Sequence, residues 1–170
     1  MFGKVNSLRE LFELELKYAY DCEQKLVKKG LPNMMENAVS PELKSALEQH
    51  LQETRTHVAR LEQVFSRLGV APGTKDNDIF DEMASAAKDS ISNIDGSPLR
   101  DCALIVNGNV VEHYEIALYG SLVSFARNLS LQDAVATLEQ TLKEEKAADA
   151  KLTEIGETLM NAKAARVRTA

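Results

Sequence analysis

Apolar residues recur at steps of three and four along four long stretches of this chain, and that period admits little besides helix. An α-helix makes a turn in 3.6 residues, so side chains at such steps share one face. The first stretch carries Leu8, Phe12, Leu16, Ala19, Glu23 and Leu26, and the second Leu43, Leu47, Leu51, Val58, Leu61, Phe65 and Leu68. The third runs Ile105, Gly108, Glu112, Glu115, Tyr119 and Leu122; the fourth includes Leu138, Leu142, Glu145, Asp149 and Leu152. Only 8 Gly and 4 Pro punctuate the 170 residues, too little turn material for an all-β chain.

The ends of these stretches are marked. Asn6 or Ser7 can cap the first helix. Pro32 is expected to break or kink it after Gly30, with a further turn or two over 33–39. Ser40-Pro41-Glu42 and Ser97-Pro98 each set a capping serine before a proline at the first helical position. Gly69 reads as the left-handed residue that closes the second helix. Ser130, with Asp133 three residues on, reads as a capping box that opens the fourth.

Between the second and third helices lies the stretch 71–97. Pro72-Gly73 and Asn77 are loop-like, Ile79, Phe80, Met83, Ala87, Ile91 and Ile94 describe a short amphipathic helix, and Asn93, Asp95, Gly96 and Ser97 close it. This connection is long enough to cross from one end of a helix about 40 Å long to the other. One long connection among four helices describes an all-α fold, a ferritin-like antiparallel four-helix bundle whose crossover carries a short extra helix. A helical dimer of hairpins is the alternative. The chain reads as a single domain over 1–170, ending at about 161–170 in a basic tail whose Lys163, Arg166 and Arg168 are expected to be solvated.

Charge and composition remove other classes. A net charge of −6 does not attract phosphate backbones or anionic lipid, so nucleic acid and membrane are poor partners. Cys22 and Cys102 make neither a disulfide framework nor a zinc spacing, and read as small core residues in a reducing compartment. With no long apolar run and no leader-like N-terminus, the chain is expected to be cytoplasmic. No Ser/His/Asp arrangement or Gly-rich phosphate loop is present.

The acids on the inner faces are the unusual element. Glu23 lies on the first stripe, with Glu15 at its edge. Glu53 stands three residues after His50 and four before His57, so at about 100° per residue all three share a face with Ala46 and Val64. Glu112 and Glu115 sit mid-stripe on the third helix, Glu145 and Asp149 on the fourth. A carboxylate buried alone is costly or is forced neutral. Two histidines cannot balance so many acids, and Lys and Arg are absent from these positions. Any Glu-rich helix places some acids at this spacing, and most of those are solvated. Four helices that each carry one among same-face apolar residues favour a pair of cations. Oxygen ligands with one or two imidazoles suit Fe or Mn, iron first. The expected metal ligands are Glu23, Glu53, His57, Glu112, Glu115 and Glu145, with His50 and Asp149 as further members. His113 points about 100° from Glu112 and is expected to pack outside the site.

The segments Tyr20-Asp-Cys-Glu-Gln-Lys-Leu26, His50-Leu-Gln-Glu-Thr54, Arg60-Leu-Glu-Gln-Val-Phe65, Val111-Glu-His-Tyr-Glu-Ile-Ala117 and Glu144-Glu-Lys-Ala-Ala-Asp149 resemble the YciF/YciE family of bacterial ferritin-like proteins. The resemblance runs from about Leu8 to Ile155, and Val-Glu-His-Tyr-Glu-Ile is its most specific part. It implies a ferritin-like bundle, often a homodimer, associated with bacterial stress responses and without a settled activity. More distantly the layout is similar to rubrerythrin, which puts ligand roles on Glu23, on Glu53 with His57, on Glu112 and Glu115, and on Glu145. His57 follows Glu53 by four residues rather than three, and Ala148 and Asp149 stand where the fourth helix would carry a histidine. The implied site is therefore richer in oxygen and poorer in nitrogen. Gly108, between Asn107 and Asn109, is expected to leave room for solvent or a small substrate. The resulting functional expectations are peroxide or oxygen handling by a di-metal site, with Tyr119 or Tyr20 donating a hydrogen bond nearby, or metal binding without turnover. The alternative is a stress-induced structural or interaction protein.

Overall fold

A computed structural model of the chain describes residues 4–94 and 97–167. Asp95, Gly96 and Arg168, named above, lie outside the described residues. Helix α1 (Leu8–Lys25) starts where the Ser7 hydroxyl accepts the Glu10 amide at 3.1 Å. Pro32 does not break it. The helix widens into one π-helical turn (Leu26–Gly30) and continues as α2 (Leu31–Asn37). Proline has no amide hydrogen and crowds the carbonyl four residues back. A turn bonded five residues apart, Leu31 N–H to the Leu26 carbonyl, carries the chain past it.

Helix α3 (Pro41–Arg67) is capped by Ser40, whose hydroxyl accepts the Leu43 amide at 3.3 Å. It ends on Gly69 at φ +69°, where the Gly69 and Val70 amides donate to the carbonyls of Ser66 and Phe65. Helix α4 (Asp78–Ser92) is capped by buried Asn77, whose side-chain amide donates to the Tyr18 carbonyl and the Tyr114 hydroxyl. This locks the connection onto α1 and onto α5 (Pro98–Asn128), against which α4 also packs. Asp101, buried near the start of α5, accepts the amides of Val39 and Ser40 at 2.7 Å each, tying α5 to the start of α3.

The expected capping box at Ser130 is not formed. Ser130 adopts φ +57° and ends α5: its amide donates to Arg127 and that of Leu131 to Ala126. An N-cap needs extended backbone, which Ser130 has given up. Helix α6 (Gln132–Ile155) therefore begins after Leu131 with no side-chain cap. The expected tail is also partly ordered, since α6 passes through a second π-helical turn (Gly156–Met160) into α7 (Asn161–Ala164).

The fold is all-helical, with no strand among the described residues. Helices α5 and α6, joined by three residues, run back along each other; α3 packs on α6, and α1 on α5 and α3. Their inner faces build two apolar clusters. One holds Phe12, Leu16, Leu61, Phe65, Leu122 and Leu138. The other holds Leu26, Leu43, Leu47, Leu104, Leu152 and Ile155. Each such side chain contributes about 1.5–3 kcal/mol on burial. Gly108 leaves no room for solvent: a Cβ there would lie 2.7 Å from Leu152 Cδ1 and 3.3 Å from Met34 Cε, so the glycine lets α6 approach closely. No helix among the described residues is long and apolar enough to cross a membrane.

Candidate metal centre

Between the two clusters the inner faces change chemistry. Glu23 on α1, His50 and His57 on α3, Glu112 and Glu115 on α5 and Glu145 on α6 are all buried. Five of them, all but Glu115, form two groups that share Glu145. In one, His57 Nδ1 lies 2.9 Å from Glu145 Oε1 and 3.4 Å from Glu23 Oε1. In the other, His50 Nε2 lies 3.1 Å from Glu112 Oε1 and 4.0 Å from Glu145 Oε2. Each group offers one ligand atom per residue, all within 4.8 Å of one another, so either could hold a metal ion.

The donors fit a cation better than they fit each other. Both oxygens of Glu145, Oε2 of Glu23, Glu112 and Glu115, and Nδ1 of His57 are buried without a hydrogen-bond partner. His57 Nδ1 thus stands close to two carboxylates without being aligned to bond either. Buried polar atoms are nearly always paired, and a cation held in this layer would supply the partner that these atoms lack.

The electrostatics agree. Burial raises the carboxyl of Glu115 well above its usual range, and Glu145, Glu23 and Glu112 push it further. Burial likewise raises Glu23 and Glu145, against the pull of His57. Burial opposes charge on the histidines, but the facing carboxylates prevail. Glu112 and Glu53 hold His50 up to about 10, and Glu145 and Glu23 hold His57 up to about 11. Without a cation the layer therefore retains protons that ligation would displace.

A second rank of side chains supports the first. His57 Nε2 lies 2.8 Å from Glu144 Oε2, and Arg60 donates to both oxygens of Glu144, at 2.5 and 3.0 Å. Burial opposes ionisation of Glu144, yet Arg60 and His57 bring it down to about 2. Once His57 gives up a proton to ligation, the ionised Glu144 would keep the remaining hydrogen on Nε2 and leave the Nδ1 lone pair facing Glu23 and Glu145. Tyr119 donates from its hydroxyl to Glu23 Oε1. Cys22, fully buried, lies with its sulfur 3.6 Å from Glu115 Oε1.

Sequence reasoning missed Glu144 and Arg60. Lys and Arg are absent from the inner stripes themselves, but Arg60, three residues after His57, reaches across to α6. Of the two tyrosines offered as alternatives, Tyr119 is the one that bonds a carboxylate of the layer; Tyr20, buried against Phe65, donates instead to Glu62 at 2.7 Å.

The structure also sorts the expected ligands. Glu23, His57, Glu145, His50 and Glu112 come together in the two groups. Glu115 is buried beside them but belongs to neither. Glu53 stands behind His50, its side chain 33 % exposed, with Oε2 3.7 Å from His50 Nδ1 and Oε1 held by Gln49 at 2.9 Å. Asp149 Oδ1 lies 3.1 Å from Nδ1 of His113, but that nitrogen bonds the Asn109 carbonyl at 2.9 Å, so the Asp149 oxygen, outside both groups, is also buried without a hydrogen-bond partner; His113 is 69 % exposed. A groove of about 700 Å³ between α3 and α6 reaches His50, Glu53 and Glu112. Glu23, His57 and Glu145 do not line it.

Comparison with known proteins gives one consistent result. Residues 7–165 match the family described as a domain of unknown function, DUF892. Protein YciF of Escherichia coli K12 is 31 % identical over 161 residues, covering 94 % of this chain and 96 % of that one. Among solved structures, the E. coli stress protein YciF superposes with a TM-score of 0.87 at 30 % identity, over 92 % of this chain and 99 % of that one. YcfI from Rhodopseudomonas palustris, described as a candidate structural protein, gives 0.86 at 36 % identity over 90 % and 98 %. The chain belongs to the DUF892 family, in which YciF is its relative.

Proposed function

We propose that this chain is a ferritin-like metal protein that holds two Fe or Mn ions, with iron favoured, in the layer between its apolar clusters. In this reading α1, α3, α5 and α6 are the four helices of one domain over 1–170, and α4 is the extra helix of the crossover. Glu145 would be shared between the two sites; Glu23 and His57 would complete one, and His50 and Glu112 the other. Glu115 closes the layer beside them. The observation that carries the proposal is the sharing of Glu145, both of whose buried oxygens lack a hydrogen-bond partner while each faces a different histidine.

A bound pair of such ions supplies electron transfer to oxygen or peroxide. The protein's own part is to position and to exclude. The apolar clusters keep water from both ends of the layer. Glu144 with Arg60 orients His57, and the Tyr119 hydroxyl holds a proton at Glu23. A role in stress responses follows the relative named a stress protein. A second reading, a structural protein without turnover, follows the description of YcfI.

Metal analysis separates the two. Protein purified without chelator and loaded anaerobically with ferrous iron should hold about two ions per chain. Glu145→Ala, which removes the shared ligand, should lose both. Wild-type protein no richer in metal than Glu145→Ala would sink the metal reading and leave the structural one. Peroxide consumption by the loaded protein then distinguishes turnover from storage.

A further inference from the structure

The centre is not equally enclosed on its two sides. His57, Glu23 and Glu145 are sealed behind the packed inner faces, whereas His50 and Glu112 form the floor of the groove between α3 and α6. The groove is acidic. Glu42, Glu53 and Glu154 line it above Glu112, and its one lysine, Lys151, is already engaged with Glu154 at 2.8 Å. A cleft lined by one sign of charge concentrates ions of the other sign and raises their arrival rate.

At the floor, His50 presents a second nitrogen. Its Nε2 faces the buried group, and its Nδ1 faces outward toward the half-exposed Glu53 carboxylate at 3.7 Å. That Nδ1 is buried and has no hydrogen-bond partner. We propose that the groove is the route by which divalent cations reach the centre, and that Glu53 with His50 Nδ1 forms an outer landing site on that route. The proposal rests on the metal reading above. It changes the role of Glu53 from permanent ligand to relay. A neutral imidazole has one lone pair, so the outer and inner positions of His50 serve in turn.

Cobalt(II) uptake tests this, because the end point reports the buried centre and the rate reports the route. Uptake is followed by stopped-flow visible absorbance in wild-type protein, in Glu53→Gln and in Ala147→Trp. Ala147 is an exposed residue of the groove wall, where a large side chain obstructs access without entering the core. Both variants should reach the wild-type stoichiometry, with uptake slowed about tenfold or more. Rising salt should slow wild-type uptake more than that of Glu53→Gln.

Uptake by both variants at the wild-type rate overturns the route. An ion lost at saturation in Glu53→Gln overturns the relay, since Glu53 would then be a ligand. Wild-type protein that binds no cobalt, with manganese and ferrous iron also refused, removes the metal reading itself.

Discussion

The apolar clusters and the acid layer between them occupy the same faces of the same helices, yet their energetics run in opposite directions. In the clusters every buried side chain lowers the free energy on its own. In the layer, each carboxylate raises it unless a proton, a donor or a cation answers it. The sharpest break of this comparison is Phe12→Ala. Phe12 is wholly buried in the first cluster, and its loss should destabilise the protein by about 3–5 kcal/mol in denaturant titration, with or without metal. A cost that vanished in metal-loaded protein would mean that the two regions are not independent.

The second test titrates the layer as a whole. Buried Glu23, Glu115 and Glu145 have folded-state values raised above 4.5, so their contribution is fully present below that pH and is lost as pH rises through the raised values. The histidines, raised from 6.5 to about 10 and about 11, contribute fully below 6.5 and lose that contribution as pH rises through those values. Both sets act in the same direction. Glu144 alone among the strongly shifted groups runs the other way, its contribution present above 4.5 and lost as pH falls toward about 2. The thermal midpoint of metal-free protein should therefore decline from pH 6.5 toward 10. Metal-loaded protein should resist that decline, because ligation holds the same groups deprotonated. Parallel pH profiles with and without metal would mean that these side chains are not ligands.

These tests also mark what could be read in the sequence. The helices and the inward acids were legible because both follow from steps of three and four along one helix. Glu144 was not, because its partners His57 and Arg60 lie on α3 and meet it only when α3 packs on α6. Glu53 was placed on the right face, but its depth depends on where α6 leaves a groove. Ser130 was misread because one left-handed residue can end a helix as readily as a serine can begin one. The role of Gly108 depended on Leu152, a residue from another helix.

A smaller and oppositely signed effect is expected at Glu115. Its one side-chain hydrogen bond among the described contacts is with the Cys22 thiol, and its Oε2 has none. Removing a buried group whose needs are unmet should stabilise the metal-free protein, by about 1–3 kcal/mol for Glu115→Leu. At this chain length that is a rise of about 2–4 °C in thermal midpoint per kcal/mol. If Glu115 closes the layer around bound ions, the gain should shrink or reverse on iron loading. A loss of stability in metal-free protein would show that the acid layer is already satisfied by protons alone.

The smallest effect is expected at Asp149, and it defines where the layer ends. Asp149 follows Glu145 by four residues, so the two share a face of α6, which is why the sequence offers both as ligands. Depth separates them. Glu145 is wholly buried between two histidines, whereas the Asp149 side chain is 22 % exposed and lies beside the largely exposed His113. Contact with so exposed a ring contributes little, so Asp149→Ala should change stability by no more than about 0.5 kcal/mol. Its metal content should match wild type where that of Glu145→Ala collapses. Loss of an ion from Asp149→Ala would extend the metal layer one turn toward solvent, and would mean that proximity along the helix outweighs the difference in burial.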